Sequence, residues 1–146
     1  MIKQKQAIHQ LLPSLAYGDA ISNQARMIRN ILILEGYESK IFALSIDPKV
    51  AHECEYFSAK QIHPDDSLIY HHSVNFDHIE FVIAHPGKKA LIYHNITPKD
   101  FFEPYNKKVA TILQEGRKRL KDLAEVFDHN YGVSQFNCDE LVLNGF

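Results

Sequence analysis

The chain has 146 residues, a formal net charge of -2 and 45% hydrophobic residues. That length suits one domain with a sizeable core, and that apolar fraction excludes a disordered chain. The small net charge gives no global basic field to draw in nucleic acid or an anionic membrane, and no apolar run is long enough to span a bilayer.

Met1-Ile2-Lys3-Gln4-Lys5 carries charge, but no apolar core with a small-residue cleavage site follows it. A cytoplasmic location is therefore expected. Cys54 and Cys138 lie far apart and form no CxxC motif, so free thiols are expected rather than a disulfide.

Gln6 to Leu12 reads as the first strand, interrupted by His9, and Pro13 to Asp19 as a loop. A helix follows, with Ile21, Ala25, Ile28 and Leu32 on one face. Asp19 suits its N-cap and Gly36 its left-handed C-cap. A second strand is expected at about Ser39 to Ala43, which makes a strand–helix–strand unit with parallel pairing through a right-handed crossover. Asp47 to Ser58 is mixed in pattern and fits a short helix or irregular chain; Pro64-Asp65-Asp66 reads as a turn. Ser67 to His71 reads as a third strand, Phe76 to Ala84 as a short helix, and His85-Pro86-Gly87 as a turn. Ala90 to Tyr93 is a buried strand that breaks into His94, Asn95 and Thr97, with Pro98 barring regular pairing beyond. Lys107 to Val126 reads as a longer helix whose inner face carries Val109, Ile112, Leu113, Gly116, Leu120, Leu123 and Phe127, while Arg117, Lys118, Arg119 and Lys121 mostly face away. Asn130 to Val133 is a last short strand and Phe136 to Leu143 a closing helix, capped by Asn144-Gly145. Alternating strands and helices predict one α/β domain over 1–146, doubly wound, with a mainly parallel Rossmann-like sheet and helices on both faces.

Four of these strands end in polar groups: Ser14, Gly18 and Asp19; His71, His72 and Ser73; His94, Asn95 and Thr97; Ser134, Gln135 and Asn137. In a parallel sheet such ends share one edge and converge on a crevice, where open α/β sheets bind ligands. Gly18 before a helix start either makes the turn or lets a phosphate approach the helix N-terminus; without a full GxGxxG or GxxxxGK the spacing does not choose. His94 reads either as a histidine bonded to nearby backbone or as a ligand contact, and Asn95 and Thr97 beside it favour the contact. Tyr17 and Tyr93 fit stacking on a sugar ring or plain packing equally well. Nine histidines are present, but there is no HExxH, and adjacent strand residues such as His71 and His72 point to opposite faces. No metal and no cofactor are expected. The GxSxG of a small hydrolase is absent.

A set of blocks in order along the chain carries a family resemblance. They are His9-Gln10-Leu11-Leu12-Pro13-Ser14-Leu15, Tyr17-Gly18-Asp19-Ala20-Ile21, Gly36-Tyr37-Glu38-Ser39, Ile69-Tyr70-His71-His72-Ser73, Tyr93-His94-Asn95-Ile96-Thr97-Pro98, Gly116-Arg117, and Val133-Ser134-Gln135-Phe136-Asn137 with Leu141 and Gly145-Phe146. Together they resemble the N-terminal domain of bacterial retaining glycosyltransferases of family 4, also called group 1, which have the GT-B fold of two Rossmann-like domains facing across a cleft. The resemblance implies an acceptor-side domain. Its partner domain would bind a nucleotide-sugar through an E-x7-E motif and basic residues. It implies that Gly18 and Asp19 form a loop approaching the donor phosphates and that His94, in the catalytic position, lies near the transferred sugar. Asn95, Thr97, His72, Ser73 and Ser134 would line the acceptor or sugar side. The family's second domain would begin where this sequence reaches Phe146, so half of an active site is implied, in a stand-alone fragment or a piece of a longer enzyme. The expected partners are a nucleotide-sugar donor, a hydroxyl or glycan acceptor and, through an uncovered cleft face, a second copy in a homodimer; no nucleic acid is expected. The alternative is a Rossmann-like module that binds carbohydrate or a protein without catalysis.

Overall fold

The computed structural model describes residues 7–146. They contain a six-stranded sheet in the order β3-β2-β1-β4-β5-β6, with every strand pairing parallel. The strands are β1 (Ile8–Leu15), β2 (Ile41–Ile46), β3 (Glu55–Tyr56), β4 (Ser67–His72), β5 (Lys89–Tyr93) and β6 (His129–Gly132). The helices are α1 (Ala20–Leu34), α2 (Ile79–Ala84), α3 (Lys107–Leu123) and α4 (Gln135–Leu143), with short 3-10 turns at Pro48–Glu53, Ala59–Gln61 and Lys99–Phe101. The chain moves outward from β1 through β2 to β3, then returns to the centre and moves the other way from β4 through β5 to β6. This is the doubly wound, Rossmann-like α/β sheet that the alternation of elements predicts.

Period-2 alternation sends side chains to two separate layers. Leu11, Phe42, Leu68, Tyr70, Leu91 and Tyr93 pack with Ile79 and Val82 of α2, Leu113, Leu120 and Leu123 of α3, and Leu141 of α4. On the other face Leu12, Ile41 and Ala43 pack with Ala25 of α1 and Val50. Helices thus lie on both faces.

Several boundaries differ from the sequence reading. β1 continues through Pro13 to Leu15, where a loop is expected. Ile8 and Gln10 donate their amides to Glu38 and Lys40 on the β2 side, so alternation turns the nitrogen of Pro13 towards β4. Pairing with β4 has already ended at Leu11–Tyr70, and a missing N–H costs nothing there. Gln6, where the sequence places the start of this strand, and Met1 to Lys5 lie outside the described residues. β3 is two residues long and carries too little pattern to be read from sequence. α3 ends at Leu123 rather than Val126, yet Phe127 beyond it remains buried. Ile112, expected on the inner face of α3, is exposed.

α1 ends as its sequence suggests. Gly36 has φ +91°, the amide of Gly36 donates to Ile33 O at 3.0 Å, and that of Tyr37 to Leu32 O at 2.9 Å. This is the Schellman pair of bonds, which satisfies carbonyls that the helix end would otherwise orphan. Among the described residues no helix is long and apolar enough to cross a membrane. Cys54 and Cys138 are both free. Burial raises the Cys54 thiol to about 11, which leaves it protonated and unreactive.

Candidate functional site

The order of the sheet reverses between β1 and β4, and the carboxyl ends of these strands and of β5 define the switch-point edge. The ladders run to that edge in register: His72 pairs with Tyr93 and Tyr93 with Gly132. The amide of His94 continues the ladder to His72 O at 2.9 Å.

The loop from β1 to α1 supplies the first wall. Gly18 has φ +76°, a conformation that favours glycine, and space where a Cβ would stand is open to 4 Å. Asp19 is the N-cap of α1, its Oδ2 accepting from the Ser22 amide at 2.8 Å and the Ser22 hydroxyl at 2.7 Å. The Ser22 hydroxyl in turn accepts from the Ala16 amide at 2.9 Å. These bonds tie strand end, loop and helix start together. They also place a carboxylate at the positive end of the helix dipole, so this N-terminus is already balanced and suits hydroxyls better than a phosphate.

β5 supplies the second wall. His94 is 6% exposed, Asn95 and Thr97 are exposed, and Ile96 between them is fully buried. The buried Ile96 anchors the segment in the core, and the guanidinium of Arg117 also donates to its carbonyl oxygen. Arg117 pairs with Glu140, which accepts from the Tyr93 hydroxyl at 2.6 Å. The sequence reading turned Arg117 outward with its basic neighbours; instead it clamps the segment after β5 to α3 and α4. Tyr93 is fully buried and packs in the core, while Tyr17 is 65% exposed with the Lys49 ammonium 5.2 Å from its ring centroid.

Beneath His94 lies a buried polar chain that joins three strands to α1. His94 Nε2 is 3.0 Å from His71 Nδ1. His71 Nε2 is 2.9 Å from Gln10 Oε1, and Gln10 Nε2 donates to Ala25 O at 2.8 Å. Burial lowers His71 to about 3, with His94 adding to the shift. Burial lowers His94 to about 4, opposed by the nearby charge of Asp19. Both rings are therefore neutral at pH 7.

The structure thus brings Gly18, Asp19 and His94 to one edge, with Asn95 and the half-buried Ser73 beside them. It takes three expected residues elsewhere. His72 turns to the opposite face of the sheet, where its Nδ1 accepts from the Tyr70 hydroxyl at 3.0 Å and its Nε2 donates to Gly116 O at 2.8 Å. Both ring nitrogens are engaged in the core, which leaves none for a ligand. Ser134 follows the outermost strand, β6, and its hydroxyl caps α4 through Asn137. Thr97 stands further along the chain, just before the 3-10 turn Lys99–Phe101. Gln10 is the site residue that sequence reasoning missed. Its one signal is an amide inside the apolar run of β1, which alternation places on the same face as His71.

A cavity of about 420 Å³ lies between α3 and the Lys99–Phe101 turn, lined by residues that include Pro98, Lys99, Leu113, Arg117 and Lys118. It includes none of Gly18, Asp19, His71 or His94. Among the described residues no group of three or more His, Cys, Asp or Glu side chains could hold a metal ion. No family model, no curated protein and no solved structure matches this chain.

Proposed function

We propose that the switch-point edge is the acceptor-side wall of a sugar-transfer site, and that the chain is the N-terminal half of a two-domain retaining glycosyltransferase resembling family 4. The observation that carries this reading is the joint placement of the Gly18-Asp19 loop and His94 beyond the carboxyl ends of β1 and β5, which flank β4, with the bonded His71–Gln10 pair between them. Four of the blocks that carry the family resemblance begin or end at this edge: His9 to Leu15, Tyr17 to Ile21, Ile69 to Ser73 and Tyr93 to Pro98. A neutral imidazole beside a carboxylate is equipped to bind hydroxyl groups, as sugar recognition requires.

In this reading His94 and Asn95 contact the sugar, and Gly18 and Asp19 face the hydroxyl acceptor. A donor-binding domain supplies the groups that stabilise the leaving diphosphate. The partners are a nucleotide-sugar and a hydroxyl or glycan acceptor. A second copy could cover apolar side chains left at the surface, such as Met27, Ile31 and Leu34 of α1. The site works in the cytoplasm, where nucleotide-sugars are at hand.

The test is to titrate the chain with a panel of nucleotide-sugars and free sugars, then to assay transfer with and without a donor-binding domain. Binding that His94→Ala removes, with transfer only when the second domain is present, is the expected result. Efficient transfer by the chain alone contradicts the half-site reading. One observation favours the alternative of a non-catalytic carbohydrate- or protein-binding module: the Asp19 carboxylate is engaged as a cap. Sugar binding without transfer after the second domain is added would identify that module.

A further inference from the structure

The chain Ala25–Gln10–His71–His94 has a direction that its partners dictate. Gln10 Nε2 lies 2.8 Å from the Ala25 carbonyl oxygen, which can only accept. The amide is therefore fixed with its NH2 group towards α1 and its Oε1 towards β4. Gln10 Oε1 is also only an acceptor, so His71 Nε2, 2.9 Å away, must carry a hydrogen. A neutral His71 then has a bare Nδ1, and His94 Nε2 at 3.0 Å must donate to it. The one remaining ring atom able to hydrogen-bond is His94 Nδ1. It has no hydrogen-bond partner among the described residues. It is also absent from the sealed polar side-chain atoms without a partner, which are Ser39 Oγ, Arg117 Nε and Asn137 Nδ2. It therefore reaches the surface at the switch-point edge.

We propose that Gln10 and His71 are positioning residues that hold His94 with its proton on Nε2, so that the Nδ1 lone pair accepts a hydrogen bond from a ligand hydroxyl. The ligand class that follows is a polyol or sugar presenting a donor at this position, and this part rests on the reading of the edge as a sugar site. A phosphate or carboxylate oxygen is rejected there, because an acceptor would meet a lone pair with the Asp19 charge nearby. The low values that burial gives His71 and His94 fit two neutral rings. Reversing the amide of Gln10 would set its oxygen against the Ala25 carbonyl, so the register of protons is fixed by the backbone of α1.

Nitrogen-15 spectra of the histidine rings in the intact chain test this directly. The expected spectrum at pH 7 shows His71 and His94 both neutral, with Nε2 protonated and Nδ1 bare. A His94 protonated on Nδ1, or charged, overturns the proposal. Gln10→Glu keeps an acceptor for His71 but favours its protonated form, which then donates from Nδ1. His94 should respond by moving its proton to Nδ1, with its two nitrogen resonances exchanging character. Should that variant not fold, the wild-type spectrum decides alone. UDP-glucose and inorganic phosphate serve as probes on the wild-type chain. UDP-glucose should shift the bare Nδ1 resonance upfield and phosphate should leave it in place. Correct tautomers with no response to UDP-glucose sink the sugar reading and leave the relay standing; wrong tautomers sink the relay whatever binds.

Discussion

His71 and His72 are adjacent and identical in chemistry, yet the pleat sends them to opposite faces with opposite tasks. That much is legible in the sequence, which separates the two by alternation. Their partners are not, because they come from distant parts of the chain: Gln10 is 61 positions from His71, and Gly116 is 44 positions from His72. Gly116 shows what such a pairing demands of its neighbours. A Cβ there would stand 2.8 Å from Asn75 N and 3.0 Å from Val74 C, both backbone atoms. Helix propensity alone would favour alanine by about 1 kcal/mol. The contact decides the sign, because backbone cannot step aside as a flexible side chain can, and α3 must withdraw from the Val74-Asn75 segment that follows β4. Gly116→Ala should therefore destabilise the fold by about 1–3 kcal/mol and lengthen the His72 bond to the Gly116 carbonyl. Urea unfolding measures the first, and exchange protection of the His72 ring proton the second. A neutral or stabilising outcome would mean that α3 is not held this close.

Single elements show where local signals suffice and where they do not. α1 was legible at both ends because its caps are local: Asp19 bonds within three positions, and Gly36 supplies a φ of +91° that favours glycine. The sequence places the end of β1 at Leu12, but Pro13 is a strand breaker only where its nitrogen faces a partner strand, and pairing order decides that. The sequence likewise turns Arg117 to solvent, since its partners Glu140 and Ile96 lie outside α3. Asp19 is both the cap of α1 and a candidate ligand contact, and substitution can separate the two. Asp19→Ala removes the cap and should cost about 1 kcal/mol of stability. Asp19→Ser keeps an oxygen for the Ser22 amide and should recover most of that loss while removing the charge. If Asp19 also meets ligand, both variants weaken nucleotide-sugar binding, and only the alanine lowers the melting temperature appreciably. Binding unchanged in the serine variant would assign Asp19 to the helix alone.

At the scale of the molecule, alternation of strands and helices was enough to give the doubly wound sheet, and the shared polar edge followed from parallel pairing. What the sequence could not supply was the sorting of polar strand ends into walls, caps and core, which depends on strand order and on face. One consequence belongs to no single element. His71, His72 and His94 are buried on two faces of one sheet, and burial lowers them to about 3, about 4 and about 4. In the unfolded chain each returns to the ordinary value of about 6.5. Between those limits the unfolded state binds protons that the native state excludes, so stability is complete above about pH 6.5 and falls with acid, by up to about 1.4 kcal/mol per pH unit for each histidine. His9, also lowered by burial, acts in the same direction. The paired carboxylate Glu53, held low by Arg26 and Arg29, adds its own loss only in stronger acid. The fall should therefore begin while carboxylates are still ionised, which distinguishes it from ordinary acid unfolding. Urea midpoints should stay nearly level from about pH 7.5 to about pH 6.5 and then decrease steadily down to about pH 5. A midpoint constant across that range would mean that the three rings take up protons in the native state, and with that the neutral His71–His94 pair would be lost as well.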